Sequence, residues 1–243
     1  MSLSKGTQEY FAEKLSGLAD RLNLTDAEKK ILDDAIASGE RALEYWSLPF
    51  PGPDHVKLEL VEASFDAFYD GESDPDDWKE QTWNESYDFY EQYLIANTYR
   101  GMLTIAVESN HLTAFNELIP YCKLGEVDKE DEYEQMLMRK AIENCNLEMV
   151  EKLYKEAKKY ISESDSLLDA VSARSLPCIN VFLPMVDEKE WKQWEKMHSR
   201  MDGDIKRHID VYYERQALNH ALPAVQAPEP DHPITPARSR GRL

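Results

Sequence analysis

The chain is poor in basic residues, in glycine and in cysteine, and each shortage argues against a class of function. Its 28 Lys and Arg residues stand against 47 Asp and Glu residues, which gives a formal net charge of -19. This charge disfavours nucleic-acid backbones and anionic membranes as ligands and favours a basic partner. Nine glycines leave little material for phosphate-binding loops, and no P-loop or dinucleotide fingerprint occurs. The three cysteines, Cys122, Cys145 and Cys178, match neither a disulfide framework nor a zinc site.

Long apolar runs and strand patterns are also missing. No run approaches the roughly 18 to 20 apolar residues of a membrane span. The opening MSLSKGTQEYFAEKL does not have the composition of a signal peptide, so we expect a cytoplasmic protein. No Asn-Gly or Asp-Gly turn separates alternating apolar runs, and apolar residues recur instead at intervals of three and four. These patterns predict an all-α fold.

The first hundred residues are predicted to form helices with one strong break. Apolar residues recur at helical spacing from Phe11 to Leu22, and Thr25 with Glu28 forms a capping-box pattern before the next helix. A further helical stretch reaches Trp46, and the prolines of residues 49–53 then end regular structure. The spacing after this break predicts a helix from Asp54, a loop over Asp70–Asp77, and a helix over Asn84–Ala96.

Three later segments share one pattern. They are AVESNHLTAFNELI from Ala106, AIENCNLEMVEKLY from Ala141 and AVSARSLPCINVFL from Ala170. Each has Leu six positions after the Ala and apolar residues three and six positions further on. A small residue allows two helices to cross closely, and hairpins of this kind must stack to bury their apolar faces.

This pattern resembles the ankyrin-repeat family over roughly residues 99–187. In that family a helix ending in small residues, a short turn often containing Gly-His, and a Leu-x-x-Val-x-x-Leu-Leu helix make one repeat. The chain departs from the family in two respects: Gly101-Met-Leu-Thr104 replaces the Thr-Pro-Leu-His opening, and the Gly-Ala-Asp ending is missing. The resemblance therefore implies degenerate stacked helical hairpins, an ankyrin-like solenoid without β-hairpin fingers. A generic helical bundle is the alternative.

The remaining sequence suggests five segments. After the repeats, one helical stripe interrupted near Gly203 predicts a C-terminal cap, whereas five of the twelve prolines and three late arginines predict a disordered tail. The stripe consists of Trp191, Trp194, His198, Met201, Ile205, Ile209 and Tyr212. The predicted segments are N-terminal helices over 1–53, an acidic, aromatic-rich connector and helix over 54–98, ankyrin-like repeats over 99–187, capping helices over 188–222, and a Pro/Arg tail over 223–243.

The negative charge is concentrated in two connectors. Residues 59–91 contain twelve acids and one base, and residues 126–134 contain six acids and one base, so together they hold -16 of the total -19. Insertions between stacked repeats map to one face, and we expect these two connectors to lie side by side. Charge steers a basic partner, while Trp and Tyr anchor it. The predicted partner-binding residues are Asp70, Glu72, Asp74, Asp76, Asp77, Trp78, Glu80, Trp83, Tyr87, Asp88, Glu126, Asp128, Glu130, Asp131 and Glu132.

The aromatic residues of the first connector have a second interpretation. Trp83, Tyr87 and Tyr90 are spaced four and three apart, which is also the pattern of a helix face buried against the first repeat. In that case Trp78, which follows an acid-rich loop, is the better candidate anchor.

The sequence predicts a non-enzymatic protein-binding module without cofactor or metal. We expect an inhibitor of a basic protein, of the immunity or antitoxin type that covers the cationic site of a toxin or nuclease. The alternatives are an acidic DNA mimic, a plain ankyrin-like scaffold or effector, and a hidden enzyme site formed by Glu195, His198, Asp202 and Asp204. A calcium loop is disfavoured because Pro75 and Gln81 occupy positions where an EF-hand needs Gly and Glu. The oligomeric state and the partner's identity stay open.

Overall fold

The computed structural model describes residues 3–38, 54–122, 124, 132–197 and 202–221, and these residues form helices and turns without a β-strand. The all-α prediction is confirmed for this part of the chain. Its helices are α1 (Lys5–Arg21), α2 (Asp26–Ser38), α3 (Asp54–Phe68), α4 (Pro75–Ala96), α5 (Tyr99–Glu108), α6 (Leu112–Leu118), α7 (Tyr133–Glu143), α8 (Leu147–Ala157), α9 (Glu163–Ser172), α10 (Leu176–Phe182), α11 (Glu188–Met197) and α12 (Gly203–Ala221). One turn of 3-10 helix follows each of α6, α8 and α10.

Helices α1 to α4 share one hydrophobic core, to which Ala19, Leu32, Leu60, Trp83 and Leu94 belong. The predicted capping box starts α2: the backbone N–H of Thr25 donates to the Glu28 carboxylate at 2.7 Å, and the N–H of Glu28 donates to Thr25 Oγ1 at 3.2 Å. Helix α3 begins at Asp54, as predicted. The helical stretch predicted up to Trp46 and the break predicted over residues 49–53 lie outside the described residues.

Helix α4 begins earlier than predicted. It starts at Pro75 rather than Asn84, so the loop prediction for Asp70–Asp77 was wrong in its second half. Asp74 caps the helix by accepting the backbone N–H of Asp76 at 3.0 Å. Proline is well suited to the first helical position, and Asp76 and Asp77 lie in the first turn, where the helix dipole favours negative charge. The Asp-Pro-Asp-Asp sequence is therefore a helix start rather than a loop.

Three helical hairpins follow, and their turns have the same geometry. The pairs α5/α6, α7/α8 and α9/α10 pack against each other, and Ala106, Ala141 and Ala170 are fully buried. Each turn contains one residue in the left-handed region, at φ 52° for Asn110, 52° for Cys145 and 55° for Arg174. In all three copies the backbone N–H five positions after the Ala closes the first helix: His111, Asn146 and Ser175 donate to the carbonyls of Ala106, Ala141 and Ala170 at 2.8, 3.1 and 3.0 Å.

Successive hairpins contact each other through their first helices, α5 with α7 and α7 with α9, and α8 also contacts α10. Side chains link the first two turns: Asn144 Nδ2 donates to the carbonyl of Val107 at 2.7 Å, and Asn146 Nδ2 donates to Asn110 Oδ1 at 2.6 Å. Arg139 pairs with Asp169 at 3.3 Å between α7 and α9. The sequence pattern thus marks equivalent positions in neighbouring helix pairs.

The chain divides into two compact units, Met1–Trp191 and Lys192–Leu243. In the second unit Ile205, Ile209 and Tyr213 are buried along α12, so Tyr213 takes the place predicted for Tyr212, which is half-buried. A spacing of four from Ile209 keeps Tyr213 on the same side of the helix. His198, Met201 and the predicted tail lie outside the described residues.

Candidate functional site

The predicted carboxylates of the first connector are exposed and lie on the loop between α3 and α4 and on α4 itself. Among the described residues, no Lys or Arg forms an ion pair with any of them. We call this set the acidic surface; it consists of Asp70, Glu72, Asp74, Asp76, Asp77, Glu80 and Asp88. Exposed charges of this kind attract a cationic molecule over about one Debye length, roughly 8 to 10 Å at physiological salt.

The loop that carries Asp70 is organised by its own hydrogen bonds. Asp70 Oδ1 accepts the backbone N–H groups of Glu72 at 2.9 Å and Ser73 at 3.2 Å. These bonds, that from Glu72 first, lower the pKa of Asp70 and keep its carboxylate charged. Gly71 has φ +77°, which favours glycine at this position. The hydroxyl of Tyr69 donates to the carbonyl of Ser73 at 2.5 Å and ties the loop to the end of α3.

Trp78 packs at this end of α3 and α4 together with two aromatic residues that the sequence reasoning missed. Its ring is almost perpendicular to those of Phe65 and Tyr69, with centroids at 5.5 and 5.7 Å, and the latter two stack on each other at 4.4 Å. We call Phe65, Tyr69 and Trp78 the aromatic cluster; all three are half-buried. The four-residue spacing of Phe65 and Tyr69 on one helix was the signal in the sequence that could have identified them.

The ammonium group of Lys79 lies 5.0 Å from the centre of the Phe65 ring. A cation within about 6 Å of a ring face is attracted by the electrons of the ring. Lys79, the base closest in sequence to the acidic surface, therefore contacts an aromatic ring. Among the described residues it forms no ion pair with the surrounding carboxylates.

Trp83 and Tyr87 lie in a different environment from Trp78. Trp83 is 7% exposed and belongs to the core of α1 to α4, where Tyr87 packs against it at 5.7 Å between centroids. Tyr90 is also buried, and its hydroxyl donates to Glu28 at 2.7 Å. Desolvation, followed by the hydrogen bond to Glu28, raises the pKa of Tyr90. The helix-face interpretation fits the burial of Trp83 and Tyr90, but these residues pack with α2 and α3 rather than against the first repeat.

The structure describes only residues 132–134 of the second acidic connector. Glu126, Asp128, Glu130 and Asp131 lie outside the described residues, and Glu132 is exposed at the start of α7. The side-by-side arrangement of the two connectors therefore stays a prediction. Glu134, which the charge count placed in this connector, is instead buried and paired with Arg100 at 3.3 Å.

Arg100 contacts one residue before this connector and one at its end. Its Nε donates to the carbonyl of Cys122 at 3.5 Å, before the connector, and its Nη2 pairs with Glu134, the last residue of the connector. The guanidinium also lies 4.5 Å from the ring centre of Tyr133, whose hydroxyl donates to the Arg100 carbonyl at 2.7 Å. Desolvation raises the pKa of the Cys122 thiol to about 12 and the Coulombic effect of Arg100 partly opposes this. This buried polar network was not predicted, because no local pattern marks it.

A groove of about 790 Å³ lies between α1, the end of α4 and α5. Leu18, Ile95 and Ile105 contribute apolar surface to it, and Arg21 and Glu108 contribute charges of opposite sign. Helix α1 is attached to the α5/α6 hairpin beside it: Ser4 Oγ donates to Glu117 at 2.6 Å, and the Tyr10 ring stacks on His111 at 4.1 Å. The sequence reasoning did not predict this groove, because it depends on where α1 packs.

The hidden enzyme site predicted as an alternative is only partly described. Glu195 is paired with Lys206, whose hydrogen bond lowers the pKa of Glu195, and His198 lies outside the described residues. Asp202 accepts the backbone N–H of Asp204 at 2.9 Å, as at a helix start. In the described ranges no three His, Cys, Asp or Glu side chains are grouped so that they could hold a metal ion.

Comparison of the chain with protein-family models, with curated proteins and with solved structures found no match. None of the helices in the described part of the chain combines the length and the apolar composition needed to cross a bilayer.

Proposed function

We propose that the protein is a non-enzymatic binding protein that captures a basic partner protein through the acidic surface. The observation that carries this proposal is that seven exposed carboxylates without an ion-pair partner among the described residues occupy the loop and the helix that also carry Trp78 of the half-buried aromatic cluster. Charge of one sign steers the encounter and adds little affinity in water, whereas aromatic side chains supply contact energy. The combination favours a partner with a cationic surface.

The form of function that this arrangement favours is inhibition, as by an immunity or antitoxin protein covering the cationic site of a toxin or nuclease. Complementary charge raises association rates from roughly 10⁵–10⁶ to as much as about 10⁸–10⁹ M⁻¹s⁻¹ at low salt. Such speed suits the neutralisation of a harmful enzyme. The proposal keeps the cytoplasmic setting expected from the sequence.

The helical hairpins act in this proposal as an ankyrin-like stack that supports the binding surface. Support comes from the three left-handed turn residues at equivalent positions and from the contacts of α5 with α7 and α7 with α9. The resemblance to the ankyrin family, whose repeats serve protein–protein binding, is consistent with a binding module.

The test compares two variants that change net charge equally. Asp76→Asn, Asp77→Asn and Glu80→Gln together neutralise part of the acidic surface; Asp34→Asn, Glu151→Gln and Glu156→Gln neutralise three exposed acids elsewhere. Affinity capture from the native host with wild type and both variants identifies proteins lost only with the first variant. Titration of each purified candidate at increasing salt then measures its affinity.

We expect a basic protein that binds wild type and the control variant, and whose affinity falls with ionic strength. Capture of the same partners by all three forms, or an affinity that does not depend on salt, would contradict the proposal. If the partner binds DNA, competition by duplex DNA for the same site would identify the acidic surface as a mimic of the phosphate backbone.

The groove beside α5 favours a second candidate function, that of a plain scaffold. Its size of about 790 Å³ is within the range of ligand pockets, and grooves between helices receive amphipathic helices of partner proteins. Partner capture that is lost with Ile105→Asp in the groove but retained when the acidic surface is neutralised would support this function over the first.

A further inference from the structure

We propose that the aromatic cluster receives one cationic side chain of the partner, preferentially an arginine, and that Lys79 covers this site in the free protein. The inference rests on the proposed function, since it assigns which group of a basic partner the surface recognises. It separates the aromatic contribution from the general attraction of the acidic surface.

The rings are arranged so that a cation can lie on an aromatic face. Phe65 and Tyr69 stack with an interplanar angle of 18°, and the Trp78 ring stands at 84° to both. Lys79 Nζ, 5.0 Å from the ring centre, demonstrates that the face of Phe65 is open to a cation. The three rings and Lys79 are half-buried, so an external side chain can reach them.

An exposed carboxylate adjoins each ring in the sequence. Asp66 follows Phe65, Asp70 follows Tyr69 and Asp77 precedes Trp78, and all three acids are exposed. A cation at the cluster would gain ring contact, and these acids would add a negative field that acts over roughly 8 to 10 Å at physiological salt. Arginine suits this site better than lysine, because its planar guanidinium stacks on rings, is less strongly hydrated and bridges carboxylates with two donors.

A second lysine, Lys57, also lies on an aromatic ring, but that ring is not a candidate site for a partner's cation. Lys57 lies 4.9 Å from the centre of the Trp83 ring, but that ring is buried in the core of α1 to α4. A partner cannot replace Lys57 there without opening the core. Lys57 is therefore a control for Lys79, since both are half-buried lysines that lie on rings.

The test uses two peptides of eight residues, one alternating glycine with arginine and the other alternating glycine with lysine. Binding to the full chain is measured by calorimetry at low and at physiological salt. The variants are Trp78→Leu, Lys79→Met, Lys57→Met and the neutralised acidic surface, with circular dichroism to verify that each is folded. The two lysine variants remove the same charge, so a difference between them reports the aromatic site.

We expect the arginine peptide to bind at least threefold more tightly than the lysine peptide. Lys79→Met should strengthen arginine-peptide binding at least threefold more than Lys57→Met does, and Trp78→Leu should weaken it about fivefold. Equal effects of the two lysine variants would overturn the inference, whether or not Trp78→Leu is folded.

The failures of the two proposals are distinguishable. If the lysine variants act equally but neutralising the acidic surface weakens binding, the aromatic site is wrong and the proposed function stands. If neutralisation has no effect either, both are wrong.

Discussion

Removal of one member of the buried Arg100–Glu134 pair should destabilise the protein much more than removal of both. The side chains are 1% and 4% exposed, and Arg100 Nη2 lies 3.3 Å from Glu134 Oε1. Arg100→Met would leave the Glu134 carboxylate buried without this cation, and Glu134→Gln would remove the carboxylate charge that Arg100 Nη2 contacts. Breaking a buried pair in this way costs about 3–5 kcal/mol.

The double variant Arg100→Met with Glu134→Leu should behave differently. Replacing both charges by apolar side chains of similar size removes the cost of desolvating them, and such replacements are often neutral or even stabilising by about 1–4 kcal/mol. The hydroxyl of Tyr133 would keep its bond to the backbone carbonyl at position 100. We therefore expect a coupling free energy of at least about 3 kcal/mol between the two positions.

Urea unfolding followed by circular dichroism measures the free energy of unfolding of the wild type, both single variants and the double variant. Single variants that each cost under about 1 kcal/mol would refute the reasoning, because the charges would then be hydrated or satisfied by other groups. A double variant whose cost equals the sum of the single ones would refute it as well, because the two charges would not depend on each other.

Three further changes test other parts of the fold. Gly101→Ala should destabilise the protein by more than about 2 kcal/mol, because the new Cβ would lie 2.0 Å from the carbonyl oxygen of Ile95. Gly17→Ala has open space around it and should stabilise the protein by up to about 1 kcal/mol in thermal unfolding. Equal effects of the two changes would contradict the close packing of α5 on α4. Cys145→Gly should stabilise by roughly 1 kcal/mol, because φ 52° is unfavourable for a residue with a Cβ, and a loss in urea unfolding would mean that the left-handed turn is wrong. Burial raises the pKa of Cys122 from 9 to about 12, so the unfolded chain loses this proton first as pH rises. The free energy of unfolding should therefore fall between about pH 9 and 12, by up to about 1.4 kcal/mol per pH unit. Cys122→Ala should reduce this fall, and an unchanged slope in unfolding at several pH values would exclude the thiol as its cause.

The repeated hairpins were predictable because their signal is local. Leu112, Leu147 and Leu176 stand at the same distance from an Ala, and this spacing specifies both helices and the turn between them. The unusual turn conformation at Cys145 and Arg174 could not be read from those residues, since neither type prefers the left-handed region. The sequence indicated the left-handed conformation only through Asn110, because asparagine tolerates that conformation and aligns with Cys145 and Arg174 in the repeat pattern.

The aromatic residues of the first connector show where sequence reasoning stops. Trp78 and Trp83 lie five residues apart in the same acidic stretch, yet Trp83 is in the core and Trp78 is half-buried at the surface. Composition treats both as candidate anchors. Trp78 packs on Phe65 and Tyr69 near the end of α3, whereas Trp83 belongs to the core shared by α1 to α4. This difference depends on packing between elements distant in sequence.

The early start of α4 has a different cause. Asp74-Pro-Asp-Asp77 contains residues typical of both loops and helix starts, and the aromatic spacing that indicates a helix becomes regular only after Trp83. The hydrogen bond from Asp76 N–H to Asp74 resolves this ambiguity in favour of the helix.

The sequence alone determined the helical class of the described residues, the equivalent hairpin turns and the excess of carboxylates, because spacing and charge are properties of the chain itself. Tertiary structure decided which aromatic rings remain accessible, that Arg100 and Glu134 are buried together, and where a groove opens beside α1. These features depend on contacts between residues far apart in the sequence, such as Ser4 and Glu117, which are 113 positions apart. Only packing brings such residues together, and no periodic pattern records it.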